Sequence, residues 1–300
     1  MLRQMLFLFV FILIGLLLGK TGKIDPDHTG VISTLLVYVC TPFVNFRTFA
    51  RNFTPAYIRR GYLYLIAAAV VIGVLHVFGG WLSRKLTDDP YERKVWQYSL
   101  VVPNFGFMGY PVVGGALGEE ALMDFMMFCL PFSLYVYAYS LPVLTRAKPS
   151  LRGLLNPPML AIFCGMAVGL SGLALPEAVT ELIGPAADVL GCFGMILLGA
   201  VLSGFSLKDM LGDRNLYLIT ALRLVGIPLA VGVPAMLLLP PQMGMIILIF
   251  CSLACGLNTV VFPKLVGENC LPGAGIALVS STAACVTIPL LTKLAERFFF

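Results

Sequence analysis

The sequence predicts an all-α integral membrane fold: ten transmembrane helices forming two inverted five-helix repeats, with one broken helix in each. Composition is the first reason. Hydrophobic residues make up 59% of the chain and charged residues 12%, with a mean hydropathy of +0.94, whereas soluble domains average about 45–50% and about 25%. A hydrocarbon core about 30 Å thick takes about 20 apolar residues per helical crossing, so this length allows about ten crossings and leaves no soluble domain. The second reason is that two apolar runs carry helix breakers in their middles. The third is that motifs of the first half return in the second.

In chain order, apolar spans are expected near 5–19, 31–50, 61–82, 95–117, 121–144, 154–173, 180–204, 215–239, 242–263 and 270–291. The first follows Arg3 and leads through Gly19-Lys20-Thr21-Gly22-Lys23 to Asp25-Pro26 with no small-residue cleavage site. It reads as a retained helix rather than a secretory signal. The separators are short and polar or turn-rich: Thr87-Asp88-Asp89-Pro90, Arg146-Ala147-Lys148-Pro149-Ser150, Lys208-Asp209 and Pro240-Pro241. None is long enough for a regulatory loop or a linker.

The fourth span holds Pro103, Asn104, Gly106, Gly109 and Pro111 within nine positions. Proline removes a backbone donor and glycine loosens the helix, so N–H and C=O groups would be freed at bilayer depth. Such a break persists only where protein or water covers it, and transporters hold solutes at discontinuous helices of this kind. The ninth span repeats the chemistry, with Gly256 before Asn258-Thr259 and Pro263 after. The amides of Asn104 and Asn258 supply donors and acceptors that can cap a half-helix, bind a polar solute, or both. Solute-binding residues are therefore expected among Asn104, Phe105, Gly106, Gly109, Pro111, Asn258, Thr259 and Pro263.

Gly15 and Gly19 recur as Gly165 and Gly169, an offset of 150, and Asn104 recurs as Asn258, an offset of 154. Gly118-Glu119 precedes Pro142-Val143-Leu144-Thr145-Arg146 as Gly267-Glu268 precedes Pro289-Leu290-Leu291-Thr292-Lys293. Matches in one order at nearly one offset point to a duplication into residues 1–147 and 148–300. An odd number of spans per half inverts the second copy. Of the 20 Lys and Arg, Lys20, Lys23, Arg84, Lys85, Arg93, Lys94, Arg146, Lys148, Arg152, Lys208, Arg214 and Lys264 share one side. Seven others, among them Arg51, Arg59 and Arg60, face the opposite side, which places both termini outside by the positive-inside rule. Net charge of +5 follows from this anchoring and gives no reason for a nucleic-acid partner.

Ionisable groups within spans are costly and so are candidates for function. Arg223 can pair with Asp188, balance an organic anion, or sit near the cytoplasmic interface. Asp188 and His76 are candidates for proton coupling, and a sodium site built from carbonyls would leave little trace in sequence. Glu119, Glu120 and Asp124, at the start of the fifth span, read as a solvated edge. Tyr135, Tyr137 and Tyr139 alternate and form no single stripe. The eight cysteines, including Cys251 and Cys255 one turn apart, read as packing. His28 and His76 are the only histidines, with no metal spacing and no nucleophile–base set, so neither an enzyme, a metal nor a cofactor is expected. A passive channel is the competing class. No Gly-Lys-Ser/Thr nucleotide loop is present to make ATP the direct energy source.

The stretch Asn104-Phe105-Gly106-Phe107-Met108-Gly109-Tyr110-Pro111, the Gly118-Glu119 after it and the Asn258-containing ninth span resemble the auxin efflux carrier family of permeases, in its bacterial branch. The resemblance covers essentially the whole chain. It implies a crossover-helix fold shared with the sodium-coupled bile acid symporters, and transport of small organic anions across the inner (plasma) membrane. It also implies a scaffold of residues 1–52 with 148–206, which can form a homodimer, and a mobile transport unit of 53–147 with 207–300. Two positions depart from the family pattern. Many members have a proline just before the ninth-span asparagine, where this chain has Ala254-Cys255-Gly256, and one in the seventh span, where this chain has Met195. Pro263 is accordingly expected to shape the second crossing.

Overall fold

The computed structural model describes residues 2–266 and 270–299. These residues contain no strand, only helices and a single isolated bridge. The helices are α1 (Leu2–Lys20), α2 (Pro26–Asn52), α3 (Pro55–Leu86), α4 (Pro90–Val101), α5 (Phe105–Leu117), α6 (Glu119–Leu144), α7 (Pro157–Ser171), α8 (Glu177–Ser203), α9 (Leu207–Leu211), α10 (Arg214–Leu238), α11 (Pro241–Ser252), α12 (Asn258–Leu265) and α13 (Leu271–Phe299). Seven described helices, α1, α2, α3, α6, α8, α10 and α13, are long and apolar enough to cross a membrane. The protein is a multi-pass membrane protein. On the outer face of α3, Val70, Val74, Val77 and Trp81 are exposed, an apolar surface that suits lipid and not water.

Many helices start on a proline at the first position, where the missing N–H costs nothing. Thr54 caps Pro55–Leu86 through Tyr57 N–H, Asp89 caps α4 through the N–H groups of Tyr91 and Glu92, and Asn156 caps α7 through Met159 N–H. Each cap is worth about 1 kcal/mol.

Prolines farther in have a different effect. Leu36–Cys40, Phe105–Gly109, Val136–Ser140, Leu222–Gly226 and Pro228–Gly232 are π-helical turns. Each ends two residues before a proline: Pro42, Pro111, Pro142, Pro228 and Pro234. In each, the residue just before the proline donates its N–H five residues back, as Thr41 does to Leu36 O and Tyr110 to Phe105 O. The ring would clash with the carbonyl four residues earlier, and widening the preceding turn avoids this without breaking the rod. Pro111 therefore widens the turn before it and does not interrupt its helix, contrary to the expectation from sequence.

Close approach of backbones sets the layout. A Cβ at Gly15 would collide with Ile196 O and one at Gly19 with the Ser203 side chain, so α1 lies directly on α8. In the other pair, Gly165 faces Phe46 O and Phe49, and Gly169 faces Phe53 O, so α7 lies on α2 and the residues just after it. Gly267 and Glu268 lie outside the described residues. Phe250 of α11 stands between Phe132 and Phe128 of α6, with ring centroids 4.3 and 4.9 Å away. This aromatic cluster packs beneath the place where the two interrupted helices meet.

Candidate functional site

Between α4 and α5 the chain is extended at Val102, and between α11 and α12 it is extended at Leu253. The two gaps run antiparallel, with Pro103 bridged to Cys255. Asn104 N donates to Ala254 O at 2.8 Å, and Cys255 N donates to Ser280 Oγ at 3.1 Å. One bond thus joins the two breaks and Ser280 of α13 supplies the other, sparing about 1–3 kcal/mol for each buried group that would be left unpaired. Pro263 lies inside α12, well past the gap, so the second crossing forms at Leu253 to Leu257 and Pro263 does not shape it.

The C-terminal ends of the two half-helices leave carbonyls short of helical donors, and one side chain donates to three carbonyls there, of which Phe250 O also accepts from Leu253 N. Arg223 is 0% exposed. Its Nη1 donates to Leu100 O of α4 at 3.0 Å, its Nη2 to Phe250 O at 2.9 Å and its Nε to Leu253 O at 3.2 Å. The guanidinium also lies 5.9 Å from the Phe250 ring centroid. Arg223 is therefore buried in the protein and not paired with Asp188; its positive charge faces the negative ends of two helix dipoles.

Above the crossing is a cavity of about 80 Å³, room for a few waters or a small solute. Pro103 to Phe107 and Gly256 to Asn258 form one wall, Val37, Thr41 and Asn45 of α2 with Pro158, Met159 and Ile162 of α7 the opposite wall, and Tyr110, Ser133, Val136 and Tyr137 the rest. No lining side chain carries a charge. The N-termini of α5 and α12, each carrying roughly half a positive charge, begin at this wall.

Of the residues singled out from sequence, Asn104, Phe105, Gly106 and Asn258 line this cavity. Asn104 caps α5, its Oδ1 accepting from Phe107 N at 3.3 Å. Asn258 Nδ2 donates to the Tyr98 hydroxyl at 2.9 Å, which ties α12 to α4. The other four lie elsewhere. Gly109 packs on Phe125 and Leu253, and Pro111 packs on Gly191 of α8 and lines a separate cavity. Thr259 is buried with its hydroxyl on Gly256 O at 2.9 Å, and Pro263 is buried within α12. Asn45 and Tyr137 are lining residues that the sequence pattern did not single out. An asparagine inside the apolar second span was the signal for Asn45.

Asp188 pairs with Arg47 at 2.9 Å, and Arg47 also lies 3.7 Å from Glu119. The Asp188 side chain is 68% exposed. His76 Nδ1 is 2.8 Å from the Tyr135 hydroxyl, and the ring packs edge-on against Tyr135 and Tyr139. The solvated-edge reading of Asp124 is overturned: it is 1% exposed. Its carboxylate accepts from Tyr57 Oη at 2.8 Å, Tyr64 Oη at 2.9 Å and Gln242 Nε2 at 2.6 Å, joining α3, α6 and α11. Glu120 does face solvent, paired with Arg60 at 2.6 Å.

Residues 1–148 match the family described as Membrane transport protein. The uncharacterized transporter MJ1031 of Methanocaldococcus jannaschii is 28% identical over 122 residues, which cover 39% of this chain and 38% of that protein. The match thus spans well under half the length of that relative. Residues 1–148 are thus similar to the membrane transport protein family, that of the auxin efflux carriers.

Proposed function

We propose that the chain is a secondary transporter that moves a small organic anion by alternating access at the crossing of its two interrupted helices. One observation carries the reading: an uncharged cavity onto which two half-helix N-termini open, while Arg223 neutralises the opposite, C-terminal ends. That arrangement favours an anion without a cationic side chain in the wall.

Support for two inverted five-helix repeats comes from pairs of positions in equivalent settings. Gly15 and Gly19 seat α1 on α8, and Gly165 and Gly169 seat α7 on α2, each across the two halves. Pro90 and Pro241 each open a half-helix that ends at the crossing. The cavity lies between α2 and α7 on one side and the crossing on the other, at the boundary between the scaffold (1–52 with 148–206) and the transport unit (53–147 with 207–300). Movement of that unit against the scaffold would turn the cavity from one face of the membrane to the other. Proton or sodium coupling, a homodimer through scaffold helices and an inner-membrane location belong to the same reading.

Counterflow in proteoliposomes tests it. Saturable exchange of a labelled organic anion, with sodium and pH varied independently, is the expected result and also names the coupling ion. Flux that never saturates, with no counterflow, would replace the carrier with a pore.

A further inference from the structure

Arg47 reaches across the boundary between the two proposed units. It stands on α2, and its Nη1 is held at 2.9 Å by Asp188 of α8, so this pair lies within the scaffold. Its Nη2 lies 3.7 Å from Oε1 of Glu119, the first residue of α6 and part of the transport unit. Gly118, at φ 88°, makes the turn that sets Glu119 directly after the end of α5. Two further side-chain contacts cross the boundary near the same end. Gln4 Nε2 of α1 donates to Gly115 O of α5 at 3.1 Å, and Cys285 Sγ of α13 to Met5 O at 3.8 Å.

The ion pair borders a space of about 320 Å³, lined by Arg47, Glu119 and Asp188 together with Pro111 of α5 and Gly191 of α8. Tyr110 lines both this space and the cavity at the crossing, so the space adjoins that cavity on the Glu119 side. The strength of the pair suits reversible closure. The Glu119 side chain is 51% exposed, and a pair this open to water is weak. Its loss shifts an open–closed balance by about two- to fivefold and does not hold the units permanently shut. Asp188 stays on Arg47 whichever way the transport unit moves, which keeps the guanidinium aimed at the boundary.

We propose that Arg47, aimed by Asp188, and Glu119 form a latch over the approach to the cavity at the end where α6 begins, and that the pair parts when the cavity turns toward that side. This rests on the alternating-access reading and adds to it the residues that gate one face.

The test places a cysteine in the cavity wall, Ser133→Cys, in otherwise unchanged full-length protein. Sealed vesicles are exposed, on the face where α6 begins, to a small membrane-impermeant methanethiosulfonate cation. Peptide mass spectrometry reads modification at residue 133 separately from the native cysteines. Glu119→Gln and Arg47→Gln are each expected to raise the modification rate by about two- to fivefold, and the double variant no further, because both remove one shared contact. Glu120→Gln loses a pair with Arg60 inside the transport unit and leaves the rate unchanged. A rate unaffected by Glu119→Gln and Arg47→Gln overturns the latch, as does an equal rise in Glu120→Gln or an additive rise in the double variant. Where one of the two latch variants does not fold, the other decides. Labelling needs no transported solute, so a failure of the latch and a failure of counterflow are distinguishable.

Discussion

Replacing Arg223 with Met would leave the buried carbonyls of Leu100 and Leu253 without a donor, while Phe250 O keeps the Leu253 N–H. At about 1–3 kcal/mol for each unsatisfied group, a loss of about 2 kcal/mol or more is expected, seen as a lower thermal midpoint in detergent. Arg223→Lys should recover only part, since a compact ammonium cannot reach carbonyls on both half-helices. Asp124 gives an ordered series: Asp124→Asn keeps an acceptor oxygen and costs little, while Asp124→Leu orphans two tyrosine hydroxyls and the Gln242 amide and costs about 1–3 kcal/mol for each. At the crossing, Asn104→Ala or Asn258→Ala is expected to cut uptake by about tenfold or more in protein that still folds. Wild-type flux in either variant would remove these residues from the mechanism. Asn104 and Asn258 were legible because a polar amide set among breakers in an apolar run marks a place where the helix needs a substitute hydrogen-bonding partner. Asp124 was not, because Glu119 and Glu120 beside it made a solvated edge and its partners are about 60 and 118 positions away in the chain.

Helices with prolines divide according to what surrounds the ring. The sequence shows Pro103 and Pro111 as equivalent breakers, yet the helix passes Pro111 through a π turn and stops before Pro103. The difference is tertiary. The backbone at Asn104 finds a partner in Ala254 O on another element, so leaving the helix costs nothing there. No such strand-like partner meets Tyr110, whose N–H instead reaches five residues back. A structure of Pro111→Ala is expected to show Phe105–Gly109 tightened into an ordinary α-turn, which rotates Phe105 and Gly106 relative to the cavity and lowers uptake without loss of thermal stability. Persistence of the wide turn in that variant would show that proline is not its cause. The glycine pairs act at the same scale. Gly15→Leu should prevent α1 from seating on α8 and deplete folded protein from the membrane, as measured by monodisperse yield.

For the molecule as a whole, composition and periodicity were enough to read a multi-pass helical bundle, and the order of its interrupted elements was also visible. The ion pair from Arg47 to Asp188 and Glu119 was not, since its members are far apart in the chain and Asp188 read as a partner for Arg223 or a coupling group instead. Tags at the two ends, probed by protease from each side of sealed vesicles, should be cut together from the outside. One end cut from each side would mean an odd number of crossings and end the inverted-repeat scheme. Arg223 has a mechanical consequence. Because a single guanidinium clamps the ends of α4 and α11 at once, neither half-helix can slide past the other without abandoning a buried charge. In the proposed carrier the crossed pair would travel as one piece, and opening toward either side would come from slippage along its outer wall against α2 and α7.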